Sequence, residues 1–450
     1  GLRYEWESNP VETHNNLTNI VGPPLGTNFQ HVPNAYVSNP SNHNFDPRIG
    51  FAWDVFGDHK TSVRGGFGIF HDVFQTYTFA SAYTSNPPYQ TVNQFFGFSP
   101  DPNFPTPFVG GGNPVLSQTN GTYYGIHTTP YTIEYNLTIQ RELFKSTLLS
   151  IGYTGTRGVH LLAFHDFNAP IPTVIDGVDH FATVVNGVAT SNPRPYPAFG
   201  ALDMTDTTSY ASYNGLLVGL EHKLSANFVS QVSYTYSHCI DSAYTYGGLG
   251  FNNVTSAVTN PYDWNADKGS CSYDIRHVLS ANVVYLLPLH GNRWKDGWQL
   301  SGIQAWHTGV PFALGEGDQA DLQNNFDTER PNYVAGCNVY ANQSVQQWYN
   351  PACFQASAYG TVGNLGRNNL KGPGYVDTDF GVMKITRIAE NISLQFRAEL
   401  FNIFNHANFS TPNPTVINAG VVPTTSATAG QITSIVGNAR QTQFSLKLIF

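Results

Sequence analysis

Fifteen histidines are scattered through the 450 residues. No two stand in the H-x-x-x-H or H-E-x-x-H spacing that sets a pair of imidazoles on one helix face around zinc, so a metalloenzyme is not expected. Asp263, Asn265, Asp267 and Asp274 are spaced like calcium-loop ligands, but Lys268 stands where the sharp turn calls for glycine. The simpler expectation is a solvated acidic loop, with calcium as the alternative. The cluster Glu316, Asp318, Asp321, Asp327 and Glu329 reads the same way. The stretch Arg64-Gly65-Gly66-Phe67-Gly68 is no phosphate loop, because no helical pattern follows it. Serine, histidine and aspartate are too plentiful for nearness in sequence to mark a triad. No catalytic constellation emerges and no cofactor is implied. Binding chemistry is better served by Tyr244, Tyr246 and Trp264, aromatic residues in a long loop where an arriving solute could stack.

The four cysteines at 239, 271, 337 and 353 suit an oxidising compartment. Three pairings exist, with four free buried thiols as the alternative. Strand topology favours Cys239–Cys271, which would close the base of one loop, and Cys337–Cys353, which would close a smaller ring inside another.

The elements that must position these residues are extended. At the C-terminus Phe444, Leu446, Leu448 and Phe450 alternate with Gln443, Ser445 and Lys447, and side chains of a strand point alternately to its two faces. One face is wholly apolar and the other polar. The same alternation recurs at Leu2 to Trp6, 49–55, 61–71, 132–140, 149–153, 216–220, 231–236, 279–285, 298–313, 375–388 and 392–400, about twelve strands in all. The pattern blurs after Gly302, which suggests a bulge. Short turns at 57–60, 144–146, 225–227, 290–297 and 389–391 alternate with long irregular stretches at 8–46, 72–130, 158–211, 239–271, 314–374 and 407–438.

Charged residues make up 11% of the chain, well below an ordinary soluble domain, and aromatics 14%. No run of about 18 apolar residues is present, so no membrane-crossing helix is expected. A net charge of −9 argues against nucleic acid as a partner. Alternating strands with alternately short and long connections point to an all-β, antiparallel, up-and-down transmembrane barrel portion. Its short turns would be periplasmic and its long loops extracellular. In lipid every backbone polar group must be paired internally, which leaves closed strand ladders as the alternative to helices. Arg64, Glu134, Arg276, Arg397, Glu399 and Lys447 all share the polar phase and are expected to face the lumen. Tyr4, Trp6, Trp53, Tyr153, Tyr236 and Tyr285 read as interfacial girdles.

The residues also carry a resemblance. Pro47-Arg48-Ile49-Gly50-Phe51-Ala52-Trp53-Asp54, Val63-Arg64-Gly65-Gly66-Phe67-Gly68-Ile69-Phe70 and Tyr273-Asp274-Ile275-Arg276-His277 belong to it. So do Gly363-Asn364-Leu365-Gly366-Arg367-Asn368 and Gln395-Phe396-Arg397-Ala398-Glu399-Leu400-Phe401-Asn402-Ile403-Phe404-Asn405-His406. Together they resemble the barrel of a TonB-dependent outer-membrane receptor of the Oar-like, carboxypeptidase-regulatory-domain group. The resemblance implies that residues 1–450 are the C-terminal part of a barrel of about 22 strands. It implies a bacterial outer-membrane location, lipid and the TonB complex as partners, and a large solute (oligosaccharide, peptide or chelated metal) as cargo. Phe450 is similar to the terminal signal read by the barrel assembly machinery. Plug, regulatory domain and TonB-contacting segment are not visible, and a start at Gly1 without Met reads as a processed or truncated piece. Residues 1–7 and 440–450 would then be raw sheet edges. A structural or adhesive barrel or passive pore, and a secreted soluble all-β binding protein, are the rival readings.

Overall fold

The computed structural model describes residues 1–22, 25–26, 28–74, 119–185, 188–197, 199–225, 227–242, 258–316, 329–418 and 423–450. Strands β1 (Leu2–Tyr4), β2 (Phe45–Asp54), β3 (Thr61–His71), β4 (Tyr131–Phe144), β5 (Thr147–Asp166) and β6 (Leu202–Ser225) form its first half. The second half comprises β7 (Phe228–Ser242), β8 (His277–Leu286), β9 (Trp298–His307), β10 (Tyr375–Ala389), β11 (Ile392–Phe401) and β12 (Gln441–Ile449). These pair in chain order, antiparallel throughout, as one continuous meander. Two short segments, Thr119–Thr122 and Lys268–Ser270, add to the loop ends of β6 and β7. Among the described residues β1 pairs only with β2, and β12 only with β11.

The tight turns follow from their sequence. After β2, the Asp54 carboxylate accepts from the Gly57 and His59 backbone N–H groups, both at 3.0 Å. Both residues have positive φ, at 69° and 59°, the region a tight reversal needs.

The loop ends depart from expectation. β1 stops at Tyr4, before Trp6, and β8 starts at His277, one residue after Arg276. The stretch 158–211 is not one loop: β5 runs on to Asp166 and β6 begins at Leu202, so the hairpin's loop-end half rises past its neighbours. The bulge expected near Gly302 is absent, because the ladder runs unbroken from Trp298 to His307 against β10. The pattern blurs there because Ile303 and Ala305 take the polar phase and Gln304 the apolar one, and the strand ends at His307. Gly309 beyond it lies against the Gly372 carbonyl, where a Cβ would come within 1.8 Å. Along the meander and away from its short turns, the register shifts fall between β5 and β6, between Asp206 and Ser209 and between Ser209 and Ala211.

The distribution of apolar burial is inverted relative to a water-soluble sheet. Among the described residues three buried apolar clusters lie in the long connections and at the loop end of β6, around Tyr349 and Leu314, around Tyr36 and Ile126, and around Ile20 and Leu202. On the strands, Ile49 is 74% exposed and Phe444 and Leu446 each 68%. Soluble monomers seldom leave contiguous apolar patches beyond a few hundred Å², and this one crosses the sheet.

Candidate functional site

The register makes the two-faced character explicit. Trp53, Val63, Ile139, Ile151, Val218, Tyr234, Leu279, Trp306 and Val376 are successive partners from β2 to β10, and all are apolar or aromatic. One residue along each strand, the row is Asp54, Ser62, Gln140, Ser150, Gly219, Ser233, Ser280, Ala305 and Asp377, all small or polar. Because strand side chains alternate, the first row lies on one face and the second on the other. The polar face also carries apolar side chains, among them Leu148, Leu217, Val284 and Ile303.

Arg64, Glu134, Arg397, Glu399 and Lys447 fall on the polar face. The Arg64 Nε donates to Ser62 Oγ at 3.1 Å. Glu134 stands opposite Gly68 and Thr156, and Lys447 opposite Gln395. Arg397 and Glu399 are 3.9 Å apart, half exposed, beside a polar hollow lined by Gln299, Ser301, Gly381 and Met383. Arg276 donates to Asp274 at 3.2 Å. The structure does not gather these charges into one cluster: Arg64 and Glu134 sit on β3 and β4, and Arg397, Glu399 and Lys447 on β11 and β12.

Not every charge keeps to the polar face. Arg141 and Arg157 share the phase of Ile139 and Ile151, and Lys384 that of Val376 and Val382. Two lie toward short turns and are occupied. The Arg141 guanidinium donates to Thr61 Oγ1 at 2.7 Å and lies 5.7 Å from the Phe56 ring. The Lys384 ammonium donates to the Arg293 and Asp296 carbonyls. Arg157 lies midway along β5, level with the loop end of β4, and is exposed. Long cationic side chains near the border of an apolar face can reach past it to water.

Above the strands the loops form a cross-linked cap. Both expected disulfides are present, Cys239–Cys271 and Cys337–Cys353, each with Cα atoms 5.4 Å apart. Asp274 and Asp267 are buried, not solvated. The Asp274 carboxylate accepts from the Cys239 backbone N–H at 2.8 Å. Asp267 accepts from the Thr259 backbone N–H at 2.7 Å and pairs with Arg330 at 3.0 Å. Asp263 accepts from the Asn265 N–H, so the calcium-like spacing is spent on holding the loop. Among the described residues no group of His, Cys, Asp or Glu is placed to hold a metal ion. Glu316 and Glu329 are likewise buried, and Glu316 accepts from Ser357. Asp318, Asp321 and Asp327 lie outside the described residues, as do Tyr244 and Tyr246. Trp264 packs edge-on against the His165 ring, centroids 4.8 Å apart.

The sequence reading missed this cap although its quoted motifs carry it. Arg367 pairs with Asp241 and donates to the Asp267 carbonyl, and Asn368 donates to the Ser270 carbonyl. Burial pulls the Arg367 guanidinium down to about 10. Gly363 is required by contact: a Cβ would come within 1.7 Å of the Arg330 carbonyl. Asn402, with φ of 46°, receives the His406 N–H on its side-chain oxygen and gives its amide to the Asn438 carbonyl. Tyr349, wholly buried, donates to the Asn413 carbonyl at 2.8 Å, and burial pushes its phenol well up.

The family model for the outer membrane beta barrel domain matches residues 1–443. No curated protein matches the chain. Among solved structures it is similar to the outer membrane transporter YddB from Escherichia coli, with 10% identity and TM-score 0.47 over 91% of this chain and 41% of that one. It is also similar to the siderophore receptor PirA from Acinetobacter baumannii, with 10% identity and TM-score 0.44 over 90% and 41%. For a mutant of the ferric enterobactin receptor PfeA from Pseudomonas aeruginosa the values are 12% and 0.44 over 90% and 40%. The chain thus spans about two fifths of the length of these structures.

Proposed function

Since the chain belongs to the outer membrane beta barrel domain family, and so to the outer membrane, we propose that it forms the C-terminal barrel part of a TonB-dependent receptor of the Oar-like group. That receptor takes up, or binds at the cell surface, a large solute such as an oligosaccharide, a peptide or a chelated metal. The observation that carries the reading is the pair of adjacent rows across nine strands, one wholly apolar and the next wholly small or polar. Such a sheet is stable when hydrocarbon meets one face and water the other. The polar face, with Arg64, Glu134, Arg397, Glu399 and Lys447, then lines an aqueous lumen. The cross-linked cap, with Trp264 in it, stands where a solute arrives. Lipid, the assembly machinery (through Phe450) and the TonB complex (through an N-terminal part of the receptor) are its partners.

The deciding experiment is solute-dependent growth of cells carrying the whole receptor gene, with and without a working TonB system. Growth that needs both is the expected result. Growth that needs the receptor but ignores TonB would favour the passive pore, and binding without uptake would favour the adhesive barrel.

A further inference from the structure

Arg157 has the strand parity of Ile151 and Tyr153, and β4 and β5 stay in register from Ile139↔Ile151 to Ile133↔Arg157. Its guanidinium therefore belongs to the apolar face, between Ile133 on β4 and Ser212 on β6. The arginines of the cap are ion-paired: Arg194 with Asp166, Arg276 with Asp274, Arg330 with Asp267 and Arg367 with Asp241. Arg157 enters no such pair among the described residues. Beside it the Tyr135 and Tyr153 hydroxyls both donate to Asn214 Oδ1, at 3.3 and 2.6 Å, and the Asn214 amide reaches Ser212 Oγ at 3.4 Å. Near its loop-end border the apolar face thus carries a compact polar patch, with a cation that enters no ion pair among the described residues.

We propose that Arg157, with Ser212 and Asn214, binds the phosphate of an anionic lipid headgroup in the leaflet bathing the loop ends. The occupant follows from two features. The patch is continuous with the face that meets lipid, so whatever covers it carries acyl chains into that layer. Its charge calls for an anion, and the planar guanidinium fork fits phosphate oxygens two at a time. The inference rests on the membrane-spanning reading above.

The test uses the full chain extracted in mild detergent, placed in nanodiscs of phosphatidylcholine doped with phosphatidylglycerol, and scored for co-purified lipid by mass spectrometry. Arg157→Ala is expected to lower phosphatidylglycerol enrichment about fivefold, and Arg157→Lys to keep part of it. Arg64→Ala, on the opposite face, should leave it unchanged. Equal enrichment in wild type and Arg157→Ala would overturn the proposal, as would equal retention of phosphatidylcholine. So would displacement of the lipid by millimolar inorganic phosphate, which would mark a free-anion site. A chain that stays in solution without detergent would instead defeat the membrane reading itself.

Discussion

At the scale of single residues, the consequential feature is how the cap uses its charges. Arg330 and Asp267 are each almost wholly buried, at 4% and 1% exposure, so removing one strands the other in a dry site. Arg330→Ala should destabilise the cap by about 3–5 kcal/mol, read as faster limited proteolysis within 258–276 while the strand ladder keeps its protection. Gly363→Ala should do similar damage of about 1–3 kcal/mol by overpacking against the Arg330 carbonyl. Neither effect was legible in the sequence. The carboxylates at 263, 267 and 274 read as a solvated loop because sequence spacing cannot show that Arg330, more than fifty residues on, supplies the counter-charge. The motif around Arg367 was visible as a string, but its reach to Asp241 and Asp267 depends on two connections distant in sequence meeting.

At the scale of elements, alternation of side chains made the strands readable, since period two survives wherever the two faces meet different solvents. The tops of β5 and β6 escaped because compensating register shifts there break the period. Lipid-facing and lumen-facing rows predict opposite tolerance to charge. Val218→Arg, in the apolar row, should cost about 2–4 kcal/mol in denaturant unfolding from detergent micelles. Ser150→Arg, in the adjacent polar row, should cost far less, and equal costs would contradict the two-solvent arrangement. The cysteine pairings were legible because the ladder brings residues 239 and 271 together at the base of one loop. Reduction should lower cap stability by about 3–4 kcal/mol per bridge in the chain-entropy model, seen as a lower melting temperature in dithiothreitol.

For the whole molecule, the class of fold was in the chain's connections: short and long ones alternate, and every long one lies at the same end of the sheet. That long connections would also contain the buried apolar clusters was not foreseeable, since their aromatic residues recur without period. Heat-dependent gel mobility and recovery in the outer-membrane fraction are the expected behaviour, and recovery in the soluble periplasm would speak for the secreted protein. One row of partners carries a last consequence. It begins at Trp53, next to the short-turn end of β2, and by β9 has climbed to Trp306, next to the loop end. Two indoles on a single hydrogen-bonded line therefore sit at opposite depths. Brominated lipids labelled near one surface or the other should quench them selectively, Trp53 from the inner side and Trp306 from the outer.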